Sequence, residues 1–200
     1  MMHEIPIFPT LIYGLDVPTQ INNKLVDLIK GIKFHDTGNH PETTDPDIHL
    51  RSELKFYTDY INEQIETLKD NNSWHCDKLT ITSMWATKTK KGVCNYRHHH
   101  PMHWFSFIHY LTEGSATYFY DKEKECPPMM LGSGGGAEIC FKPGANIPVG
   151  SMLLFPSYIP HSVESHDGDY DRYTIAGNIF PEGKIEPMGD GVSLDIRLIQ

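Results

Sequence analysis

The 200-residue chain is 39% hydrophobic and 22% charged, which suits one globular domain, and no apolar run approaches the ~20 residues a membrane helix needs. Its 26 acidic residues against 17 basic ones, a net charge of −9, argue against a surface that holds nucleic acid by neutralising phosphates. Cys76, Cys94, Cys126 and Cys140 form no C-x-x-C pair, and Met1–Glu4 lacks a basic-then-apolar secretory layout, so a cytoplasmic protein with reduced thiols is expected.

The first part of the chain (1–75) reads as strand, helix, helix. Ile5, Ile7, Leu11 and Tyr13 among Pro6, Pro9 and Gly14 suit an edge strand, because each proline removes a ladder donor. Ile21, Leu25, Leu28, Ile29 and Ile32 recur at helical spacing between Pro18-Thr19 and Gly31, and residues 34–49 read as a loop. A second amphipathic helix is predicted from Ser52 to Lys69, with Leu54, Tyr57, Ile61, Ile65 and Leu68 on one face. From Leu79 the period changes to two. Short runs follow at 104–111, 115–120, 137–141, 151–155, 161–165 and 172–179, separated by Gly114, Gly132–Gly136, Pro143-Gly144 and Asp167-Gly168. The pattern predicts a mainly β fold with N-terminal helices packed on a sandwich or barrel spanning 79–180. The tail 181–200 ends in an alternating stretch, Val192–Ile199, able to pair within the chain or with a second copy in a homodimer.

Five of the twelve histidines fall between 98 and 109. On an extended segment, His98 and His100 share a face and His99 points away, an arrangement that can present two imidazoles to one metal. Further on, Pro160-His161-Ser162-Val163 opens a strand with His161, and Asp167-Gly168 suggests a tight hairpin. A hairpin centred there would pair His161 with Thr174 and Val163 with Arg172, putting Arg172 and Thr174 on the face that carries His161. Arginine on such a face is costly unless it meets an anion, so a fork plus a hydroxyl beside a metal-binding histidine fits a carboxylate co-substrate. Iron(II) held on one face by three protein ligands keeps positions for co-substrate and O2. The order of these pieces is that of a double-stranded β-helix (a jelly roll, cupin-like), in which early and late strands meet at the barrel mouth.

Several segments resemble the iron(II)- and 2-oxoglutarate-dependent oxygenases of marine bacteria and their phages, relatives of prolyl hydroxylases. These are Phe8-Pro9-Thr10; His98-His99-His100-Pro101 with Phe105-Ser106 and Tyr110-Leu111; Gly150 through Leu154-Phe155-Pro156-Ser157 to His161-Ser162-Val163; and Arg172-Tyr173-Thr174 through Asn178. The resemblance covers about residues 4–180. It implies His98 and His161 as iron ligands and Arg172, helped by Thr174, on the distal carboxylate of 2-oxoglutarate. It also implies hydroxylation of a small molecule or peptide with release of succinate and CO2, in a bacterium or a phage-infected cell. Tyr110, Tyr118 and Asn178 are further candidates for holding the co-substrate.

One departure from the superfamily pattern is that His100 stands where Asp or Glu is usual. His100 has the right spacing and face for the middle ligand, and Asp121 or Glu113 is the alternative. His103 and His109 are expected to shape the pocket. His3, His35, His40, His49, His75 and His166 are expected to be bystanders. The glycine run 132–136 reads as a connection or lid, beside Met129 and Met130. Two other classes stay open: a three-histidine cupin-type dioxygenase or isomerase that does not use 2-oxoglutarate, and a non-catalytic metal- or ligand-binding β-barrel.

Overall fold

The computed structural model describes residues 10–120, 138–186 and 191–199. Both expected helices form. α1 (Thr19–Lys30) begins after Pro18, whose carbonyl accepts from the Ile21 and Asn22 amides, and it ends at Gly31. α2 (Lys55–Asn71) is entered through two 3-10 turns, Ile48–Leu50 and Ser52–Leu54. Leu25 and Ile29 of α1 and Tyr57, Ile61 and Ile65 of α2 are buried, so each helix packs by one apolar stripe. No helix among the described residues is long and apolar enough to cross a membrane.

The rest is mainly β. The strands are β1 (Tyr13–Asp16), β2 (Glu42–Thr43), β3 (Cys76–Thr89), β4 (Asn95–His98), β5 (Phe105–Tyr110), β6 (Thr117–Tyr120), β7 (Glu138–Phe141), β8 (Ser151–Pro156), β9 (His161–Val163), β10 (Arg172–Ile185) and β11 (Leu194–Ile196). They form two antiparallel sheets. One runs β1-β8-β5-β10-β3-β2 with β11 added to β10; the other runs β4-β9-β6-β7. The helices cover the outer face of the larger sheet, where Phe107, Ile175 and Ile179 join the core with Leu25, Tyr57 and Ile61. Tyr110, Leu153 and Phe155 on its inner face meet Phe119 of the smaller sheet, with Phe119 and Phe155 rings edge-on at 4.8 Å.

Two local expectations, the β9–β10 hairpin and a loop without a strand at 34–49, differ from the structure. β9 and β10 are not a hairpin: β9 pairs with β4 and β6, and β10 with β3 and β5. Gly168 lacks the positive φ that a tight primed turn needs. The connection is instead tied down by the buried His166, which bonds the Tyr170 carbonyl by its Nε2 and Gly92 and Val93 by its backbone. The chain therefore crosses from one sheet to the other at Asp167-Gly168. The terminal strand β11 pairs with β10 of its own chain. The loop 34–49 contains β2, which pairs with β3 through Glu42↔Lys88 and Thr43↔Thr87. Residues 5 and 7 of the expected first strand, the 132–136 glycine run, Met129, Met130, Asp121, Cys126 and His3 lie outside the described residues.

Gly177 of β10 is required by close approach. A Cβ there would lie 2.5 Å from the Phe107 ring and 2.7 Å from the Ser83 carbonyl oxygen. Gly177→Ala is expected to destabilise the fold by about 1–3 kcal/mol, read as a lower urea midpoint at unchanged slope.

His109, expected near the pocket, lies on the opposite face of β5. Its Nδ1 shares a buried hydrogen bond with Tyr57 Oη of α2 at 2.8 Å. Burial holds its pKa down to about 3. An unfolded histidine titrates near ~6.5, so the unfolded chain takes up the proton first as pH falls. Stability is therefore lost as pH falls from about 6.5 towards about 3, and His109→Gln should show a shallower fall in Tm between pH 7 and 4.5 than the parent.

Candidate metal centre

The smaller sheet sets the first two histidines. His98 on β4 and His161 on β9 are paired directly across the ladder, and their rings lie 4.3 Å apart. His100 lies two residues past the end of β4, with its ring 5.2 Å from that of His98 and 5.1 Å from that of His161. Nitrogen atoms of the three come within 4.8 Å of one another, and no carboxylate among the described residues joins the group. Glu113 is exposed on the connection before β6, against Gly144, away from this cluster. His99 is exposed, as the alternation predicts.

Each of the three rings has its Nδ1 on an oxygen. His98 Nδ1 meets the Tyr96 carbonyl at 2.7 Å, His161 Nδ1 the Ile159 carbonyl at 3.0 Å, and His100 Nδ1 the Asn178 Oδ1 at 2.6 Å. A backbone or amide oxygen can only accept, so each Nδ1 donates, and in a neutral ring Nε2 is then the nitrogen with a lone pair to offer. Burial, with the neighbouring His98 and His100 adding to it, pushes His161 down to about 3, and burial lowers His100 as well. The two buried rings are thus neutral near pH 7, the form that binds a metal. Three imidazole nitrogens suit iron(II) and other first-row divalent ions.

The larger sheet supplies the other wall. On β10, Arg172, Thr174 and Asn178 face inward at period two. Arg172 is 1% exposed, and among the described residues its Nε and Nη2 have no hydrogen-bond partner. Burial lowers its pKa to about 10, against the opposing pull of Tyr110 and Glu164. Around it lie more unpaired buried hydroxyls: Tyr110 Oη, Thr89 Oγ1 and Thr117 Oγ1. Tyr110 is pushed up to about 12 by burial, and its ring centre is 5.8 Å from the Arg172 guanidinium carbon. Thr174 hydrogen-bonds to Thr87 across the ladder. Thr87, Thr89, Thr117, Arg172 and Thr174 line one pocket with the three histidines. A buried cation among free hydroxyls is costly alone and is matched by an anion that takes hydrogen bonds from all of them.

Two expected co-substrate residues are engaged otherwise. Tyr118 is on the outer face of β6, its hydroxyl towards Glu164; alternation points Thr117 and Phe119 inward instead. Asn178 is at the pocket, but its amide is taken up by protein: Oδ1 also accepts from Ser106 at 2.8 Å, and Nδ2 donates to Ser83 at 2.9 Å. His103 bonds Thr82 at the edge of the site. Sequence reasoning missed Thr87, Thr89 and Thr117, which become visible only through the β3–β10 pairing and the parity of β6. It also missed His166, whose ring and the Arg172 side chain both crowd Gly114, each within 3.2 Å of where a Cβ would be.

Three converging imidazole nitrogens facing a buried arginine between two antiparallel sheets could hold a divalent metal beside an anionic ligand. Residues 83–178 match the family described as "Putative 2OG-Fe(II) oxygenase". No curated protein matches the chain. Among solved structures, a Pseudomonas putida prolyl-4-hydroxylase is similar at TM-score 0.62 and 12% identity, over 87% of this chain and 94% of that one. HygX from Streptomyces hygroscopicus, with nickel, 2-oxoglutarate and hygromycin B bound, is similar at TM-score 0.63 and 13% identity, over 86% of this chain and 83% of that one. A collagen prolyl hydroxylase of Paramecium bursaria Chlorella virus-1 reaches TM-score 0.57 at 11% identity, over 84% and 94% of the two chains. At these identities the likeness is one of fold.

Because Arg172 is buried with no hydrogen bond at Nε or Nη2 among the described residues, Arg172→Met, similar in volume and uncharged, is expected to raise the Tm of the ligand-free protein, by about 1 kcal/mol or more in stability. A fall in Tm would mean that the guanidinium holds the fold together.

Proposed function

We propose that the protein hydroxylates its substrate as an Fe(II)- and 2-oxoglutarate-dependent dioxygenase, with His98, His100 and His161 as the metal ligands. The observation that carries this is the unpaired Arg172 guanidinium sharing a pocket with three converging imidazoles. In this reading the two sheets are the larger and smaller walls of a double-stranded β-helix, and residues 1–200 form one oxygenase domain. Iron(II) with 2-oxoglutarate and O2 supplies the oxidising chemistry, one oxygen atom ending in succinate as CO2 leaves and the other in the substrate C–H bond.

The chain's own part is placement and electrostatics. Arg172 takes the distal carboxylate by a charge-assisted fork, with Thr174, Tyr110, Thr89 and Thr117 giving hydroxyl donors around it. That contact fixes the far end of the co-substrate and directs its keto-acid end to the histidines. Phe155, Val163 and Ile108 keep the pocket wall apolar and limit water at the reacting centre. Three neutral imidazoles leave the bound iron one positive charge higher than a site with one carboxylate ligand. This favours a dianionic co-substrate at the metal. A small molecule or a peptide is the substrate class in this reading.

Anaerobic addition of Fe(II) and 2-oxoglutarate is expected to give a weak visible charge-transfer band and a 2-oxoglutarate-dependent rise in Tm. Arg172→Met should weaken 2-oxoglutarate binding at least ~30-fold while keeping metal affinity. His98→Ala should lose both. Metal binding without a band or a 2-oxoglutarate-dependent shift would favour a three-histidine metalloenzyme that uses another substrate.

A further inference from the structure

His98 and His161 are aimed by the ladder rung they share, but His100 is not on a strand. β4 ends at His98, and Pro101 follows three residues beyond. What fixes His100 is one backbone bond, its amide to the Ser157 carbonyl at 3.0 Å, and its ring Nδ1, which meets Asn178 Oδ1 closely at 2.6 Å and Ser106 Oγ more distantly at 3.3 Å. An imidazole held only by its main chain can turn about its side-chain bonds and can carry its proton on either nitrogen. The ring bond removes both freedoms.

Asn178 is itself held from both neighbouring strands. The register places Asn178 of β10 opposite Ser83 of β3 and opposite Ser106 of β5. Ser106 donates to Asn178 Oδ1, Asn178 Nδ2 donates to Ser83 Oγ, and Ser106 Oγ lies 2.8 Å from Ser157 Oγ. Asn178 is 5% exposed, Ser106 1% and Ser157 0%, so these bonds do not compete with bulk water. Ser157 closes the circuit, because its carbonyl accepts the His100 amide. With Ser106 and His100 both on Oδ1, the oxygen is turned to His100 and Nδ1 must be the protonated nitrogen.

We infer that Asn178 is the positioning residue of the metal centre: through Ser83, Ser106 and Ser157 it fixes the orientation of His100 and reserves Nε2 for the metal. The inference rests on the proposed iron centre and gives Asn178 a role other than co-substrate contact. It also accounts for how a histidine can serve off the end of a strand. A ligating histidine generally hands its other N–H to a fixed acceptor, and loss of that acceptor generally weakens the metal about 10–100-fold.

The test compares Asn178→Leu, close in shape but without an acceptor, with Asn178→Asp, which keeps the acceptor. Three readouts are taken: Co(II) affinity by calorimetry, the visible spectrum of the Co(II) form, and the His100 tautomer by nitrogen-15 NMR of the metal-free protein. Asn178→Leu should bind Co(II) about 10–100-fold more weakly, change the Co(II) spectrum and lose the single Nδ1–H tautomer of His100. Asn178→Asp should restore all three. If Asn178→Leu does not fold, Asn178→Ala gives the same readouts with less apolar bulk beside the serines. An acceptor-free variant with unchanged tautomer, spectrum and affinity overturns the inference. If that variant instead loses only 2-oxoglutarate binding, Asn178 is a co-substrate residue. Should the parent protein bind no divalent metal, the proposed centre fails, while the tautomer measurement still decides what Asn178 does to His100.

Discussion

The seating of β10 between β3 and β5 is the constraint on which the site depends. Its register lays Thr174 beside Thr87 and Tyr110, and Asn178 beside Ser83 and Ser106. Both rows face the smaller sheet, while Ile175, Gly177 and Ile179 face the helices. A slip of one residue would exchange the two sets, burying Arg172 and Asn178 among α1 and α2 and turning isoleucines to the pocket. The apolar side of β10 thus fixes its polar side. Phe107 over Gly177 locks the arrangement, because the ring and the Ser83 carbonyl fill the space a side chain would need.

Within that frame the pocket is costly in the ligand-free protein. An arginine is buried without a hydrogen bond at Nε or Nη2, and hydroxyls of Tyr110, Thr89 and Thr117 are buried beside it. Two of the three imidazoles are desolvated and held neutral. An anion and a metal relieve both costs together, so ligand binding and stability are linked. The helix layer and the sheet-to-sheet aromatic contacts supply the stability against which these unpaired groups are tolerated.

Much of this was legible along the chain. The helices followed from the spacing of Leu25, Ile29, Tyr57, Ile61 and Ile65, and the strands from period-two runs. His98, His100, His161, Arg172 and Thr174, picked out along the chain, line one pocket in the structure. Yet the reason offered for joining His161 to Arg172, a tight hairpin at Asp167-Gly168, is not the one the protein uses. They meet across the gap between two sheets. Tyr118 was chosen for its chemistry, whereas strand parity selects its neighbour Thr117. Asn178 was recognised as a candidate, but its three hydrogen-bonding neighbours are 72 to 95 residues away in sequence and no local window shows them.

The sequence by itself pointed to a metal and an anion, through histidines at strand spacing and a lone arginine, and it determined the element types through local periodicity. Tertiary structure decided which hydroxyls surround Arg172, which face Tyr118 takes and what holds His100. Those are matters of register between strands distant in the chain. Register is set by the summed burial of whole strand faces, so no local window of residues contains it.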